Sequence, residues 1–277
     1  MQDGAGAVAA VVRATGAAGE LRLHEFRSRI FQNTRFLRVW LPPGYDRTEN
    51  AGRHYPVLYL NDGQNLFEAA TAFAGIEWQV DETAERLIRE AAVPPLIIVG
   101  MDNKGRERIR EYMPFRSMHP RMLRVRGRYY PDFLMKEVMP FVGRNYRVAS
   151  GPENTGLGGS SLGGLIALYT VMARPGVIGR LLVESPSLWA SGRQLMRESR
   201  SVRVWPERIF LAAGTAEAGS PERSRSVVDD VRELAGIMRR AVLSEKRLRL
   251  VIRDGAGHNE GAWAERFPEA LQFLFGQ

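Results

Sequence analysis

The run Gly158-Gly159-Ser160-Ser161-Leu162-Gly163-Gly164 decides how the chain is read. Its inner five residues, Gly159 to Gly163, fit the pattern G-x-S-x-G. In that pattern a serine sits on a strained strand-to-helix turn, with its hydroxyl exposed at the top of an α/β sheet. The glycines have a steric reason to be there. The turn brings strand and helix backbones together at Gly159 and Gly163, where a Cβ would clash. Glycine and serine are common residues, so a plain Gly/Ser loop matches the same pattern and the flanks must decide. Upstream, Asn154-Thr155-Gly156-Leu157 is a short run fit for a buried strand. Downstream, Leu165, Ile166, Ala167, Leu168, Tyr169, Val171 and Met172 are apolar nearly all round, which suits a helix buried beneath a sheet. Strand, tight turn and buried helix make Ser161 the candidate nucleophile, with Ser160 as the fallback.

Moving outward, the same alternation recurs. Leu21, Leu23 and Phe26, then Phe36 to Leu41, read as two β-rich stretches ended by Pro42-Pro43-Gly44-Tyr45. Tyr55 to Leu60 is a continuous apolar run, as in a central parallel strand. Asp81 is placed to cap a helix running to about Ala92, and Leu96 to Met101 is another buried strand. The stretch from Asp102 to Arg128 is long and charged, and is expected as a functional loop over the C-terminal edge of the sheet. Pro131 opens a helix with Phe133, Leu134, Val138 and Phe141 on its apolar stripe. Strands at Leu181–Glu184, Ile209–Ala213 and Leu248–Arg253 follow, with helices near 223–242 and 262–275. This predicts a mostly parallel sheet covered by helices on both faces. No repeat or linker divides the chain, so residues 20–277 are expected to form one domain behind a disordered segment, 1–19.

Composition bounds the function. At 44% hydrophobic and 25% charged over 277 residues, the chain reads as a soluble globular protein with room for a large core. No stretch approaches a membrane-spanning helix. Met1 to Gly19 lacks the basic region and long apolar core of a signal peptide, although a chain that had lost its leader would read the same. The absence of cysteine excludes disulfides, thiolate nucleophiles and Cys-based metal sites, and leaves the compartment open. The net charge of +8 allows anionic substrates or surfaces, but only Lys104, Lys136 and Lys246 are lysines and the rest of the positive charge is arginine. The one local cluster, Arg121, Arg124, Arg126 and Arg128, has no interleaved aromatics and no nucleic-acid module, so no nucleic-acid partner is expected. A homo-oligomer remains open.

A serine hydroxyl needs a base. Of the four histidines, His24 lies in an early strand, His54 before the central strand and His119 in the arginine-rich loop. His258 lies in Asp254-Gly255-Ala256-Gly257-His258-Asn259-Glu260, just after the last strand, where a loop can reach the C-terminal edge of an open α/β sheet. It is the candidate base. The acid should come between serine and histidine, at the end of the penultimate strand. Ile209 to Glu217 supplies strand, turn and carboxylate, which selects Glu217 over the mid-helix Asp229 and Asp230. An oxyanion needs backbone donors. The Leu162 N–H is one, and the loop Asn61-Asp62-Gly63-Gln64-Asn65 offers the Gln64 N–H, with Asn65 as the alternative.

Four further runs carry a resemblance. Tyr55-Pro56-Val57-Leu58-Tyr59-Leu60-Asn61-Asp62-Gly63-Gln64-Asn65-Leu66-Phe67 resembles the "YPVLYLLDGQNLF" run of an esterase family of α/β hydrolases. That family includes enterochelin-esterase-like hydrolases, feruloyl and acetyl-xylan esterases and S-formylglutathione hydrolases, and more distantly the mycolyltransferases. Val39 to Tyr45 is similar to its "VYLPPGYD" run, Asp102-Asn103 with Arg110-Glu111-Tyr112 to its "DN…R-x-EY-x-P" loop, and Glu184-Ser185-Pro186-Ser187-Leu188-Trp189 to its "SPSLWW". The likeness covers about residues 20–277. It implies an α/β-hydrolase fold and Ser161, Glu217 and His258 as a triad. The arginines of 116–128 depart from the shorter, glycine-rich loop of the family.

The expectation is a serine carboxylic-ester hydrolase working through an acyl-enzyme, without metal or organic cofactor. An acyltransferase with the same triad and a non-catalytic binding protein on the same fold are the alternatives. The substrate would be a small-molecule or saccharide-linked ester, and Asn65, Arg110, Trp78, Trp189 and Trp263 are candidates to touch it.

Overall fold

The computed structural model describes residues 12–13, 19–116, 124–241 and 244–276. Among the described residues nine strands form one sheet: β1 (Val12–Arg13), β2 (Glu20–Ser28), β3 (Asn33–Leu41), β4 (Val57–Asn61), β5 (Ile97–Met101), β6 (Thr155–Ser160), β7 (Arg180–Glu184), β8 (Arg208–Ala216) and β9 (Leu248–Gly257). Their spatial order is β1-β2-β3-β5-β4-β6-β7-β8-β9. The pairings among β1, β2, β3 and β5 are antiparallel, and all pairings from β5 to β9 are parallel. This is the α/β-hydrolase fold expected.

Strand periodicity explains the two faces. In β4, Val57 and Tyr59 pack into one core and Leu58 and Leu60 into the other. In β8, Ile209, Leu211 and Ala213 share the first core, and Phe210 and Ala212 the second. Side chains alternate along a strand, so a run that is apolar at every position needs cover on both sides. The first core receives α5 (Leu162–Ala173) and α7 (Pro221–Arg240), together with α3 (Tyr130–Asp132), a π-helical stretch (Phe133–Val138) and α4 (Met139–Asn145). The second receives α1 (Val80–Arg89) and α8 (Glu260–Phe275). α1 buries Val80, Ala84 and Leu87, one narrow stripe at helical spacing, whereas α5 is buried almost all round. Each fully buried Leu, Ile or Phe on these faces is worth about 1.5–3 kcal/mol relative to exposure.

The chain crosses from β4 to β5 on one side and then lays β6 on the other side of β4. That reversal opens a crevice at the C-terminal ends of β4 and β6, where ligands bind in open α/β sheets.

Several local expectations need correction. Asp81 does not cap α1; it is buried inside the first turn, and left-handed Gln79 (φ 52°) precedes the helix. The stretch after β5 is not bare loop, since it carries α2 (Arg108–Tyr112). α6 (Ala190–Ser199) was not foreseen, because left-handed Ser191, Gly192 and Arg193 break its start. β8 and β9 run three and four residues beyond the expected ends at Ala213 and Arg253. His119 and Arg121 lie outside the described residues, as does most of segment 1–19.

Candidate active site

Ser161 stands between β6 and α5 at φ 55°, ψ −122°. A non-glycine residue is strained there, and such outliers gather at reacting positions. The strain persists because both sides are pinned. Ser161 N–H donates to the Glu184 carbonyl (2.9 Å), and the Ser161 carbonyl accepts from Leu165 N–H (3.0 Å). The expected glycine contacts are present. A Cβ on Gly159 would lie 2.9 Å from Asn61 Cβ and 3.0 Å from the Gly163 carbonyl carbon, and one on Gly163 would lie 2.9 Å from Asp62 Oδ2. Ser160 ends β6 and is buried, whereas Ser161 is part-exposed.

Glu217 and His258 meet because of strand register. Ala216 pairs with Gly257 across β8 and β9, so the next residue of each chain leaves the sheet beside the other. His258 Nδ1 lies 2.5 Å from Glu217 Oε2. The Glu217 side chain is fully buried, while that of His258 is 34% exposed, enough to leave part of the ring open to a ligand. Glu217 Oε1 accepts from Ser185 Oγ (2.5 Å) and from Gly214 N–H (2.6 Å). The Trp263 ring meets the imidazole edge-on at a centroid distance of 5.1 Å. Asn259 then caps α8 by accepting from Ala262 N–H (3.0 Å), a contact worth about 1 kcal/mol that also anchors the loop carrying His258.

Ser161 Oγ is not hydrogen-bonded to His258 here. Its partner is Ser187 Oγ, at 3.3 Å. Hydrogen bonds of this kind are often long and tighten only with substrate bound. Asp229 and Asp230 lie on α7; Asp229 is exposed, and Asp230 pairs with Arg193 (2.7 Å).

The loop after β4 is rigidly held. Asp62 takes a left-handed φ of 60°. Its carboxylate accepts from Arg108 at 2.7 and 2.8 Å and from Asn103 Nδ2 at 2.7 Å. Asn61 Nδ2 donates to the Gly163 carbonyl (2.9 Å), which ties this loop to the serine turn. The Gln64 peptide is fixed by Thr71 Oγ1 on its carbonyl (2.7 Å), and its side chain accepts from Asn103 N–H (3.1 Å). Asn65 N–H donates to the Asp62 carbonyl (2.9 Å). Leu162 is the first residue of α5, where a backbone N–H has no acceptor within its own helix.

The residues expected to touch substrate divide. Trp78 and Trp263 are buried and pack on each other at 5.7 Å, so neither lines an open pocket; the Trp263 indole N–H donates to Ser185 Oγ (2.9 Å). Trp189 is 58% exposed, close in sequence to Ser187. Asn65 is buried, bonding Glu260 Oε1 (3.1 Å) and Phe73 N–H (3.0 Å). Arg110 pairs with Glu107 at 3.1 Å. Arg126 donates to the Ile30 and Phe31 carbonyls, while Arg116, Arg124 and Arg128 are exposed.

Sequence reasoning missed a buried polar chain behind Glu217. Arg266, wholly buried, donates Nε (2.9 Å) and Nη2 (2.8 Å) to Glu184 Oε2, and Nη2 also reaches Ser185 Oγ (3.4 Å). Burial pushes the Glu184 carboxyl up to about 7, against the pull of Arg266. Burial also raises Glu260, and the charge of Asp62 adds to it. Ser185 lies in the run Glu184 to Trp189 that carries the resemblance, but nothing in that run pairs it with Glu217, 32 residues on, and Arg266 is 49 residues from Glu217 in a run with no motif.

Comparison with known proteins places the chain. The profile of the family described as "Putative esterase" matches residues 28–274. Ferri-bacillibactin esterase BesA of Bacillus subtilis is 27% identical over 226 residues, covering 74% of this chain and 73% of its own. The iron(III) enterobactin esterase of Dickeya dadantii is 29% identical over 219 residues, covering 73% of this chain and 45% of its own. Among solved structures, the BES protein from Bacillus cereus superposes with a TM-score of 0.74 at 18% identity, covering 93% of this chain and 95% of that one. The chain thus belongs to this esterase family and is a carboxylic ester hydrolase built on the α/β-hydrolase fold.

Proposed function

We propose that the chain cleaves its ester through an acyl-enzyme, with Ser161 as nucleophile, His258 as general base and acid, and Glu217 as the group that orients His258. The observation that carries this is the buried Glu217 carboxylate 2.5 Å from His258 Nδ1, at strand ends flanking the same sheet edge as strained Ser161. With Nδ1–H given to Glu217, the other ring nitrogen is the acceptor. Ser161 Oγ rotates off Ser187, gives its proton to that nitrogen and attacks the ester carbonyl. The tetrahedral oxyanion is held by the Leu162 and Gln64 N–H groups. The imidazolium then protonates the leaving alcohol, the C–O bond breaks, and an acyl-Ser161 ester remains. Water repeats the sequence, with His258 as base, and frees the acid.

The relatives named as ferri-bacillibactin and iron(III) enterobactin esterases, and the exposed Trp189 ring, support an ester with an aromatic portion as substrate. Transfer of the acyl group to a second alcohol uses the same residues and is the alternative. A fluorophosphonate probe tests the nucleophile: it should label the wild type at Ser161 and leave Ser161→Ala unlabelled. Labelling elsewhere, or none, would sink the assignment. Feruloyl, acetyl-sugar, siderophore and short p-nitrophenyl esters, assayed with and without added alcohol, distinguish substrate class and transfer.

A further inference from the structure

Ser185 follows β7 with φ 44°, in the left-handed region where glycine is at home and a side chain is strained. Its hydroxyl is buried and has three neighbours. Trp263 Nε1 approaches at 2.9 Å and Arg266 Nη2 at 3.4 Å. Indole and guanidinium nitrogens only donate, so both occupy the acceptor side of the hydroxyl. A hydroxyl has one proton, and here its remaining neighbour is Glu217 Oε1 at 2.5 Å. Its direction is therefore forced. Gly214 N–H donates to the same oxygen at 2.6 Å, so Oε1 is held twice and Oε2 is left for His258 Nδ1. Arg266 is itself fixed by its pair of contacts to Glu184 Oε2.

We infer that Ser185 is a positioning residue: its hydroxyl, polarised by Trp263 and Arg266, locks the Glu217 carboxylate in the rotamer that meets His258. The backbone strain at Ser185 is then explained by the need for an oxygen at a place that otherwise suits glycine. This rests on the assignment of Glu217 as the orienting acid.

Ser185→Gly removes the hydroxyl without asking the backbone to move. For a short p-nitrophenyl ester, kcat should fall by about 10- to 100-fold with KM nearly unchanged, the scale of a small misplacement of a catalytic group. The melting temperature should fall only modestly, because relief of the φ offsets part of the cost of leaving the buried Trp263 N–H without its acceptor. In a Glu217→Ala background the same change should cost nothing more, since its effect runs through Glu217. Trp263→Phe is the companion variant. It keeps an aromatic ring by His258, drops one donor, and should lower kcat in the wild type but not in the Glu217→Ala background. It also carries the test if Ser185→Gly does not fold. A purely structural role would produce equal losses in both backgrounds, and that result overturns the inference. Glu217→Ala alone separates the two levels: if it is harmless, the acid assignment fails; if it is damaging while Ser185→Gly keeps kcat within about twofold, only the role of Ser185 fails.

Discussion

Ser161 combines two properties that pull apart: a backbone that glycine would prefer, and a hydroxyl that the proposed chemistry needs. The two can be separated by substitution. Ser161→Ala should lower turnover by on the order of a millionfold, and His258→Ala should be about as severe. Glu217→Ala should be milder, because an orienting acid contributes less than the base. Ser161→Gly should be equally inactive yet melt at a higher temperature, since relief of a left-handed φ is worth roughly 1 kcal/mol. Turnover and thermal melts on the four variants check all of this, and a destabilised Ser161→Gly would contradict the strain. Much at this scale was legible. The serine announces itself through its glycines, and His258 and Glu217 through their places after apolar runs. Ser185 and Arg266 were not, because their contacts join residues far apart in sequence and no local spacing encodes them.

Among elements, the crossing of β6 and α5 past the loop after β4 is a close contact near the site, with a Cβ on Gly163 reaching 2.9 Å from Asp62 Oδ2. Asp62 cannot swing aside there, held as it is by Arg108 and Asn103. Gly163→Ala should therefore destabilise the fold by about 1–3 kcal/mol and lower kcat as well, because the displaced loop carries Gln64. Urea unfolding with steady-state kinetics would show both, and a neutral outcome would mean the loop is softer than its bonds suggest. β2 offers a pH test. His24 is buried against Tyr146 and Phe141, and burial first, then Arg22, lowers its pKa. The folded state thus disfavours the imidazolium. Its contribution to stability is present above the ordinary value of about 6.5 and is lost as pH falls through that value toward the lower folded one. A His24→Leu variant should show a flatter fall in stability below neutral pH than the wild type. Element identity was readable because apolar runs and prolines mark it. Element edges were less so: α1 starts after a left-handed Gln79, and α6 starts through three left-handed residues that no propensity rule anticipates.

At the scale of the whole molecule, the net charge of +8 is spread mainly over arginines, several of them already committed. Arg126 holds the carbonyls of Ile30 and Phe31, so Arg126→Ala should cost stability. Arg116 and Arg124 are exposed and free to act at a distance. The catalytic efficiency for an anionic ester should fall as salt rises, since exposed charges are screened beyond about 8–10 Å at moderate ionic strength, while a neutral ester of similar size stays level. Replacing Arg116 and Arg124 with alanine should remove part of that slope; equal salt dependence for both esters would assign these arginines to a solvated face. The sheet also distributes its burial unevenly. β6, which delivers Ser161, is buried at every position, while β9, which delivers His258, ends the described sheet on one side and is largely part-exposed. Outer strands open at lower free energy than central ones. Warming should therefore fray the margin before it melts the middle. Activity should vanish at a temperature where circular dichroism still reports a folded sheet, and should return on cooling, as a seam closes that was never torn through.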